Sequence, residues 1–139
     1  MKVERPTWAH SDDRGSIVDI LENVPIDSVT IVTVKAGSCR GNHYHKETVQ
    51  WSYIMEGRVK VLTQTPPGPV EAVVLEAGDL AMTPPHERHA VHAIEDSTIL
   101  VCTKGPRAGR NYEADTFRLA SALVDPGSPT AANAGCASS

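Results

Sequence analysis

The sequence predicts an all-β domain, a sandwich or a barrel, on three observations. Short apolar stretches rich in β-branched residues recur along the chain and are too short for helices. Turn residues such as Gly57, Gly78 and Pro84-Pro85 separate them. No helical pattern lies between them, so the stretches are expected to pair as antiparallel hairpins that bury one face. The stretches are 16–21, 29–34, 49–55, 59–64, 70–75, 79–83, 89–93 and 98–103.

A chain of 139 residues has room for one domain with its own core. We expect the barrel, with an N-terminal strand and a C-terminal cover segment, to occupy residues 1–120. Residues 121–139 are rich in Ala, Ser, Gly and Pro and are expected to be a low-complexity tail. This tail includes Cys136, which we expect to have no function. Deletion of everything after Val124 is therefore expected to leave the fold intact.

Charge and composition exclude several classes of partner. The net charge is −4, and the thirteen Lys and Arg residues are scattered, so no basic face is available for nucleic acid. No stretch approaches the apolar length of a membrane span or a signal peptide. The three cysteines are widely spaced without a CxxC pair, which indicates a reducing compartment, most simply the cytoplasm.

Three histidines have the spacing of metal ligands. His43 and His45 are two residues apart, so on a β-strand their imidazoles project from the same face, about 7 Å apart at the backbone. His89 follows His45 by 44 residues, behind a turn and two prolines, as expected of a ligand from a neighbouring strand. Three imidazoles with an open position favour a catalytic mononuclear metal site. The alternative is a solvated His43-Tyr-His45 strand and a hydrogen-bonded core histidine at His89.

Two segments resemble the conserved motifs of the cupin superfamily. Residues 37–57 match GxxxxxHxHxxxxExxxxxxG at every spacing except that Gln50 replaces the glutamate. Residues 78–93 are similar to GxxxxxPxGxxHxxxN, with His86 in place of the glycine and Ala93 in place of the asparagine. The resemblance implies a double-stranded β-barrel, or jelly roll, over most of the chain. It also implies one divalent ion, Zn, Fe, Mn or Ni, bound by His43, His45 and His89.

The fourth metal ligand has two candidates. Gln50 stands at the ligand position of the motif, and its amide oxygen is a weaker, neutral ligand that leaves the ion more Lewis acidic than a carboxylate does. Glu47 shares strand parity with the two histidines and is the alternative. We favour Gln50.

Residues near the expected barrel mouth suggest further roles. His86 and Tyr44 are candidates for the acid or base that moves a proton. Arg40, Lys46 and Arg107 are candidates for binding a small-molecule substrate, and their charge suits a phosphate or carboxylate. His92 has the opposite strand parity to His89 and is expected to be structural.

The run Arg40-Gly-Asn-His-Tyr-His45 is similar to small cupins that epimerise or isomerise nucleotide-linked keto-sugars. The resemblance implies an enzyme of carbohydrate biosynthesis in which the ion stabilises an enolate. In some of these isomerases the two histidines of the HxH motif act as acid and base without metal. Two further alternatives remain open: an Fe(II) dioxygenase or other metal-dependent tailoring enzyme, and a cupin that only binds a metabolite.

An apolar stripe predicts self-association. Trp51, Tyr53 and Met55 share the strand face opposite Gln50, and a barrel of this size would leave much of that face exposed. We therefore expect a homodimer.

Overall fold

A computed structural model describes residues 1–127, which form twelve strands and one short 3-10 helix. No helix within this range has the length and apolar character needed to cross a membrane. The elements in chain order are β1 (Lys2–Glu4), β2 (Trp8–Asp12), β3 (Gly15–Val18), β4 (Ser28–Val34), β5 (Cys39–Tyr44), β6 (Val49–Glu56), β7 (Arg58–Gln64), β8 (Glu71–Glu76), β9 (Leu80–Thr83), β10 (Arg88–Ala93), β11 (Ser97–Lys104), the 3-10 helix (Gly109–Asn111) and β12 (Phe117–Arg118).

Ten of the strands form two antiparallel five-stranded sheets. Their orders are β1-β9-β6-β11-β4 and β12-β5-β10-β7-β8, and β2 pairs only with β3. Aliphatic side chains from both sheets meet in one buried cluster, which includes Ile54 and Ile99 from the first sheet and Val59 and Leu75 from the second. The sheets therefore pack face to face around a shared core, which confirms the all-β jelly roll.

All eight predicted stretches contain strands of this fold, namely β3, β4 and β6 to β11. The first strand ends at Val18, three residues earlier than its apolar pattern indicated. β5 was not among these stretches and was expected only from the spacing of His43 and His45. The alternation also did not predict β1, β2 or β12, whose residues are all exposed. Such strands bury no face, so no hydrophobic period marks them.

Strand register divides the barrel interior into a polar end and an aliphatic end. Gln50 on β6 is opposite Thr103 on β11. Four residues further along β6, Ile54 is opposite Ile99. Because side chains on one face of a strand recur every second residue, the same two strands present polar groups at one end and aliphatic groups at the other.

The chain after β12 packs against the second sheet. The amides of Leu119 and Leu123 donate to the backbone oxygen and side-chain Oδ1 of Asn42, at 2.9 and 2.8 Å. Leu123 is buried with Leu62 and Ala90 in a second apolar cluster. The packed chain thus continues beyond residue 120, where the sequence pattern placed the end of the barrel domain.

Asp125 anchors this segment. Its side chain is 5% exposed and accepts a hydrogen bond from the Lys60 ammonium at 2.7 Å. Its other oxygen accepts the Gly127 amide at 2.8 Å. A deletion after Val124 would remove these contacts, so the expectation that it is harmless does not fit the packing. The remaining tail, with Cys136, lies outside the described residues.

The two cysteines within residues 1–127 differ. Cys102 on β11 is buried and free, and burial raises the pKa of its thiol. Cys39 on β5 is half-buried.

We predict that Asp125→Ala lowers the free energy of unfolding by about 1 to 3 kcal/mol, because it leaves the Lys60 ammonium and the Gly127 amide without their acceptors. Urea denaturation of the two proteins measures the difference. Asp12→Ala, which removes an exposed ion pair with Arg14, is the matched control and should leave the midpoint nearly unchanged. Equal midpoints for the Asp125 variant and the wild type would contradict the anchoring role.

Candidate active site

A cavity of about 270 Å³ opens at the polar end of the barrel. Several of its lining side chains are exposed and form the mouth, while others are buried. The polar and glycine residues of its lining are Arg40, Gly41, His43, Gln50, Ser52, Thr83, His89, Arg107, Tyr112, Glu113, Thr116 and Arg118.

The approach of β5 to β10 places two of the histidines side by side. His43 is opposite His89, and Gly41 is opposite Ala90, with an irregular register between them. A Cβ at Gly41 would lie 2.9 Å from the carbonyl oxygen of His89, and Gly41 has a φ of +96°. Only glycine permits this contact at little cost. Asn42, at φ +60°, is the extra residue of a β-bulge that directs His43 toward His89.

The three predicted histidines converge. Nitrogen atoms of His43, His45 and His89 all lie within 4.8 Å of one another. The ring centroids are 5.0 Å apart for His43 and His45, 4.6 Å for His43 and His89, and 5.3 Å for His45 and His89. One ion at about 2.1 Å from each nitrogen fits such a triangle.

Hydrogen bonds determine which ring nitrogens are available. Nδ1 of His45 donates to the carbonyl oxygen of Asp115 at 2.9 Å, and Nδ1 of His89 donates to that of Glu87 at 3.2 Å. Nε2 of both rings is buried without a hydrogen-bond partner. An Nδ1–H bonded to a carbonyl leaves Nε2 with its lone pair, as in metal-bound histidines. The donor set therefore fits a divalent ion.

Burial keeps these rings neutral. Desolvation, followed by the charges of His43 and His45, lowers the pKa of His89 to about 3. Desolvation also lowers the pKa of His45, and the guanidinium of Arg107 adds to this effect. At pH 7 both imidazoles are in the unprotonated form that binds metal.

Asp115 connects the cover segment, defined as residues 105–118, to the histidine loop. Its carboxylate accepts the amides of Lys46, Glu47 and Thr48 at 2.8 to 2.9 Å and the Thr48 hydroxyl at 2.8 Å. Burial opposes ionisation of this carboxyl, but the amide donors outweigh it and lower its pKa. Since the Asp115 carbonyl also holds His45, one residue fixes both the loop and the ring.

Gln50 and Glu47 are in different environments. Gln50 lines the cavity and donates from Nε2 to the Ser52 hydroxyl at 3.3 Å. With Nε2 on Ser52, its Oε1 is the atom left to act as a ligand. Glu47 is exposed and is not part of the cluster with the histidines.

Two of the three predicted substrate-binding residues line the cavity. Arg40 is exposed at the mouth and donates from Nε to the Thr33 carbonyl at 3.2 Å. Arg107 is half-buried in the cover segment, its amide donates to the Thr48 hydroxyl at 3.1 Å, and burial lowers the pKa of its guanidinium. Both cations face the space in front of the histidines.

Three other predicted residues are not among those that line the cavity. The Tyr44 ring stacks on Phe117 at 5.4 Å, and the Lys46 ammonium lies 4.2 Å from the centre of the same Phe117 ring. Strand alternation places Tyr44 on the face opposite His43. His86 is exposed at a turn with a φ of +70°, in the left-handed region that explains why the family motif has glycine there.

His92 is also away from the cavity. Desolvation lowers its pKa, and Asp125 and Lys60 are the charges that act on it. His92 therefore lies near Asp125, which anchors the C-terminal segment. This position agrees with the structural role expected from the opposite strand parity of His92 and His89.

The cover segment contributes cavity residues that sequence reasoning missed: Tyr112, Glu113, Thr116 and Arg118. Arg118 forms a paired contact with Glu113 at 2.6 and 2.8 Å, which lowers the pKa of that carboxyl. The only available signal was a run of charged and aromatic residues after the last long strand. No periodic pattern indicates where such a segment folds.

Comparison with known proteins supports the fold. The family model described as the cupin domain matches residues 30–103. Among curated proteins, none matches the sequence.

Three solved structures illustrate the similarity. The QdtA 3,4-ketoisomerase from Thermoanaerobacterium thermosaccharolyticum, a double mutant in complex with TDP, is 22% identical, with a TM-score of 0.69 over 85% of this chain and 86% of that one. The WlaRB TDP-quinovose 3,4-ketoisomerase from Campylobacter jejuni is 17% identical, with a TM-score of 0.72 over 85% and 92%. The rmlC epimerase from Mycobacterium tuberculosis is 19% identical, with a TM-score of 0.66 over 81% and 65%.

At these identities the structural matches support the fold alone. The family model covers more than half of the sequence. The chain therefore belongs to the cupin domain family.

Proposed function

We propose that this cupin is a metal-dependent enzyme that isomerises or epimerises a keto-sugar linked to a nucleotide. The observation that supports it best is the convergence of three imidazoles, two with buried and unbonded Nε2 atoms, beside a cavity with arginines at its mouth. The similar structures include sugar ketoisomerases and an epimerase, one of them in complex with TDP.

In this proposal His43, His45 and His89 bind one divalent ion, Zn, Fe, Mn or Ni, with Gln50 as the fourth ligand in preference to Glu47. Such an ion would polarise the ketone oxygen and so acidify the neighbouring C–H bond. Arg40 and Arg107 would bind the phosphates of the nucleotide.

Proton transfer needs a group that faces the substrate. We do not propose His86 or Tyr44 for this role, because neither is among the residues that line the cavity. Tyr112 does line it, and we propose it as the base. If the site works without metal, His43 is the alternative base.

The first prediction for this function concerns metal content. His43→Ala, His45→Ala and His89→Ala should each lower the affinity for the ion by at least a hundredfold while the barrel stays folded, because each removes one strong ligand. Elemental analysis after reconstitution and gel filtration measures occupancy, and circular dichroism measures folding.

His92→Ala is the matched control and should retain the ion. Gln50→Glu should bind at least as tightly as the wild type, since a carboxylate adds Coulomb attraction to the ion. A wild-type protein that takes up no metal would refute the metal site and favour acid–base chemistry by His43 and His45.

The second prediction concerns the reaction. The metal-loaded protein should exchange a proton of TDP-4-keto-6-deoxyglucose, the compound bound in another QdtA structure, for solvent deuterium at the carbon beside the ketone. Mass spectrometry and proton NMR detect the exchange.

Arg107→Gln should raise KM at least tenfold, because it removes a half-buried cation at the mouth. Lys46→Gln, outside the cavity, is its control. Binding of the nucleotide sugar without exchange in any metal state would instead indicate a cupin that only binds its ligand.

A second candidate is an Fe(II) dioxygenase or other tailoring enzyme of a small metabolite. The three converging histidines favour it, because three imidazoles with open positions also suit Fe(II) and oxygen chemistry. Substrate-dependent oxygen uptake by the Fe(II)-loaded protein would distinguish it.

We also propose that the protein is a homodimer through the outer face of the first sheet. Ile31 on β4 and Tyr53 on β6 both lie opposite Leu100 on β11, which forms one apolar row. Ile31 is 56% exposed and Met55 is 46% exposed. A second copy would cover this face.

Sedimentation should therefore show a dimer at about 50 µM, because this concentration is well above the Kd of a stable interface. Ile31→Lys should shift the protein to monomer, because it places a charge in the apolar row. Val74→Lys, at a site 45% exposed on the other sheet, should leave the dimer intact. A monomeric wild type would contradict this interface.

A further inference from the structure

The two buried histidines of the cluster are oriented by different parts of the chain. Nδ1 of His89 donates to the carbonyl of Glu87, two residues away in the segment before β10. Nδ1 of His45 donates to the carbonyl of Asp115, which lies 70 residues further along, in the cover segment. The orientation of the His89 ring is therefore local, whereas that of the His45 ring depends on how the cover segment is docked.

Strand pairing does not hold the His45 ring. This residue follows the last residue of β5 and is not among the paired residues of β5 with β10 or β12. Its backbone carbonyl accepts the His86 amide at 2.6 Å, so the backbone has an anchor of its own. Its ring is buried, and the Asp115 carbonyl is the acceptor for Nδ1. Loss of that acceptor would free the ring while the backbone bond to His86 remains.

The side chain of Asp115 holds its own carbonyl in place. Its backbone has a φ of +58°, in the left-handed region that Asp and Asn adopt more readily than most residues. Its carboxylate accepts the amides of Lys46, Glu47 and Thr48, which follow His45 directly. The carboxylate and the carbonyl of one residue thus bind the same short loop. Removal of the carboxylate should therefore also release the carbonyl from the His45 ring.

The Thr48 hydroxyl connects this contact to the cavity mouth. It donates to the Asp115 carboxylate at 2.8 Å and accepts the Arg107 amide at 3.1 Å. Thr48 is fully buried, so water does not compete for either bond. The cover segment is thereby fixed to the loop after His45 at two points, one on each side of Tyr112.

The Asp115 carbonyl determines which nitrogen of His45 can bind an ion. A neutral imidazole has one N–H group, and an acceptor at Nδ1 leaves the lone pair on Nε2. Without that acceptor the ring can adopt the Nε2–H form, which is the more stable tautomer of a histidine side chain in water. The lone pair would then lie on Nδ1, the atom that points toward Asp115, and Nε2 could not bind a metal.

We infer that Asp115 is a positioning residue, which imposes the metal-binding tautomer of His45 and makes the site complete only when the cover segment is docked. The inference rests on the proposed function for the presence of an ion. Linkage requires that the ion stabilise the docked cover segment by the same factor by which docking strengthens metal binding. Because Arg107 and Tyr112 belong to that segment and line the cavity, metal binding also orders the mouth.

Nitrogen-15 NMR of the histidine rings tests the inference on the metal-free protein, with the His45 signals assigned by their loss in His45→Gln. At about pH 7.5 both buried rings are unprotonated, and in the wild type both should have the Nδ1–H form. Asp115→Gly removes the carboxylate and tolerates the positive φ, so it should convert His45 mainly to the Nε2–H form. His89 is the internal control and should not change. A His45 ring that keeps Nδ1–H in Asp115→Gly would overturn the inference.

Two further variants separate positioning from a general loss of stability. Asp125→Ala removes a different carboxylate that accepts several donors, and it should leave both tautomers as they are in the wild type. Asp115→Asn keeps one acceptor oxygen and the left-handed backbone, so it should give a mixture of tautomers at His45. If Asp115→Gly does not fold, Asp115→Asn decides the question, and an unchanged tautomer in that variant counts against the inference.

Zinc binding gives the second test. Asp115→Gly should weaken Zn binding about 10- to 100-fold in competition with a chelator, which is the usual effect of losing the partner of a metal-bound histidine. In the wild type, bound Zn should slow hydrogen exchange at the Glu47 and Thr48 amides by a similar factor, because these amides open only when the cover segment undocks. The Gly127 amide, bonded to Asp125, is the control and should not respond to Zn.

Failure of the inference is distinguishable from failure of the proposed function. A protein that takes up no Zn would refute the proposed metal site, and the tautomer measurement would still decide the role of Asp115 because it uses no metal. A protein that binds Zn equally well with and without the Asp115 carboxylate would keep the metal site and overturn the inference.

Discussion

The close approach of β5 to β10 is the constraint on which the rest of the site depends. Gly41 touches the backbone of His89, and the bulge at Asn42 places His43 opposite that histidine. A side chain at position 41 would push the strands apart and separate the two rings. The same bulge offers both oxygens of Asn42 to the chain that follows β12. The histidine cluster and the packing of the chain after β12 therefore both depend on the backbone geometry at this bulge.

Burial and hydrogen bonding together prepare the imidazoles. Desolvation lowers the pKa of His45 and His89, which favours their unprotonated forms. The carbonyls of Asp115 and Glu87 accept hydrogen bonds from the Nδ1 atoms of these rings and so fix their orientation. The remaining Nε2 atoms of His45 and His89 have no partner within residues 1–127, which is costly in a buried site unless a ligand compensates for it. The arrangement therefore fits a divalent ion.

The arginines at the mouth of the cavity differ in their availability to a ligand. Arg118 is paired with Glu113 through two contacts at 2.6 and 2.8 Å, whereas Arg40 and Arg107 form no ion pair among the described residues. Arg40 and Arg107 are therefore the cations left for an anionic group. Beyond this polar end, β6 and β11 continue into the packed aliphatic core through Ile54 and Ile99.

The sequence alone determined the strands that bury a face, because period-two alternation reflects burial directly. It also predicted the cluster of three histidines, because the spacing of His43 and His45 places both on one face of a strand. The same alternation placed Gln50 on the face opposite Trp51. Only the tertiary structure decided that Tyr44, Lys46 and His86 stay outside the cavity and that the cover segment brings Tyr112, Glu113 and Arg118 to it. These positions depend on contacts made far along the chain, such as Asp115 with the 46–48 amides. Local sequence patterns contain no information about such contacts.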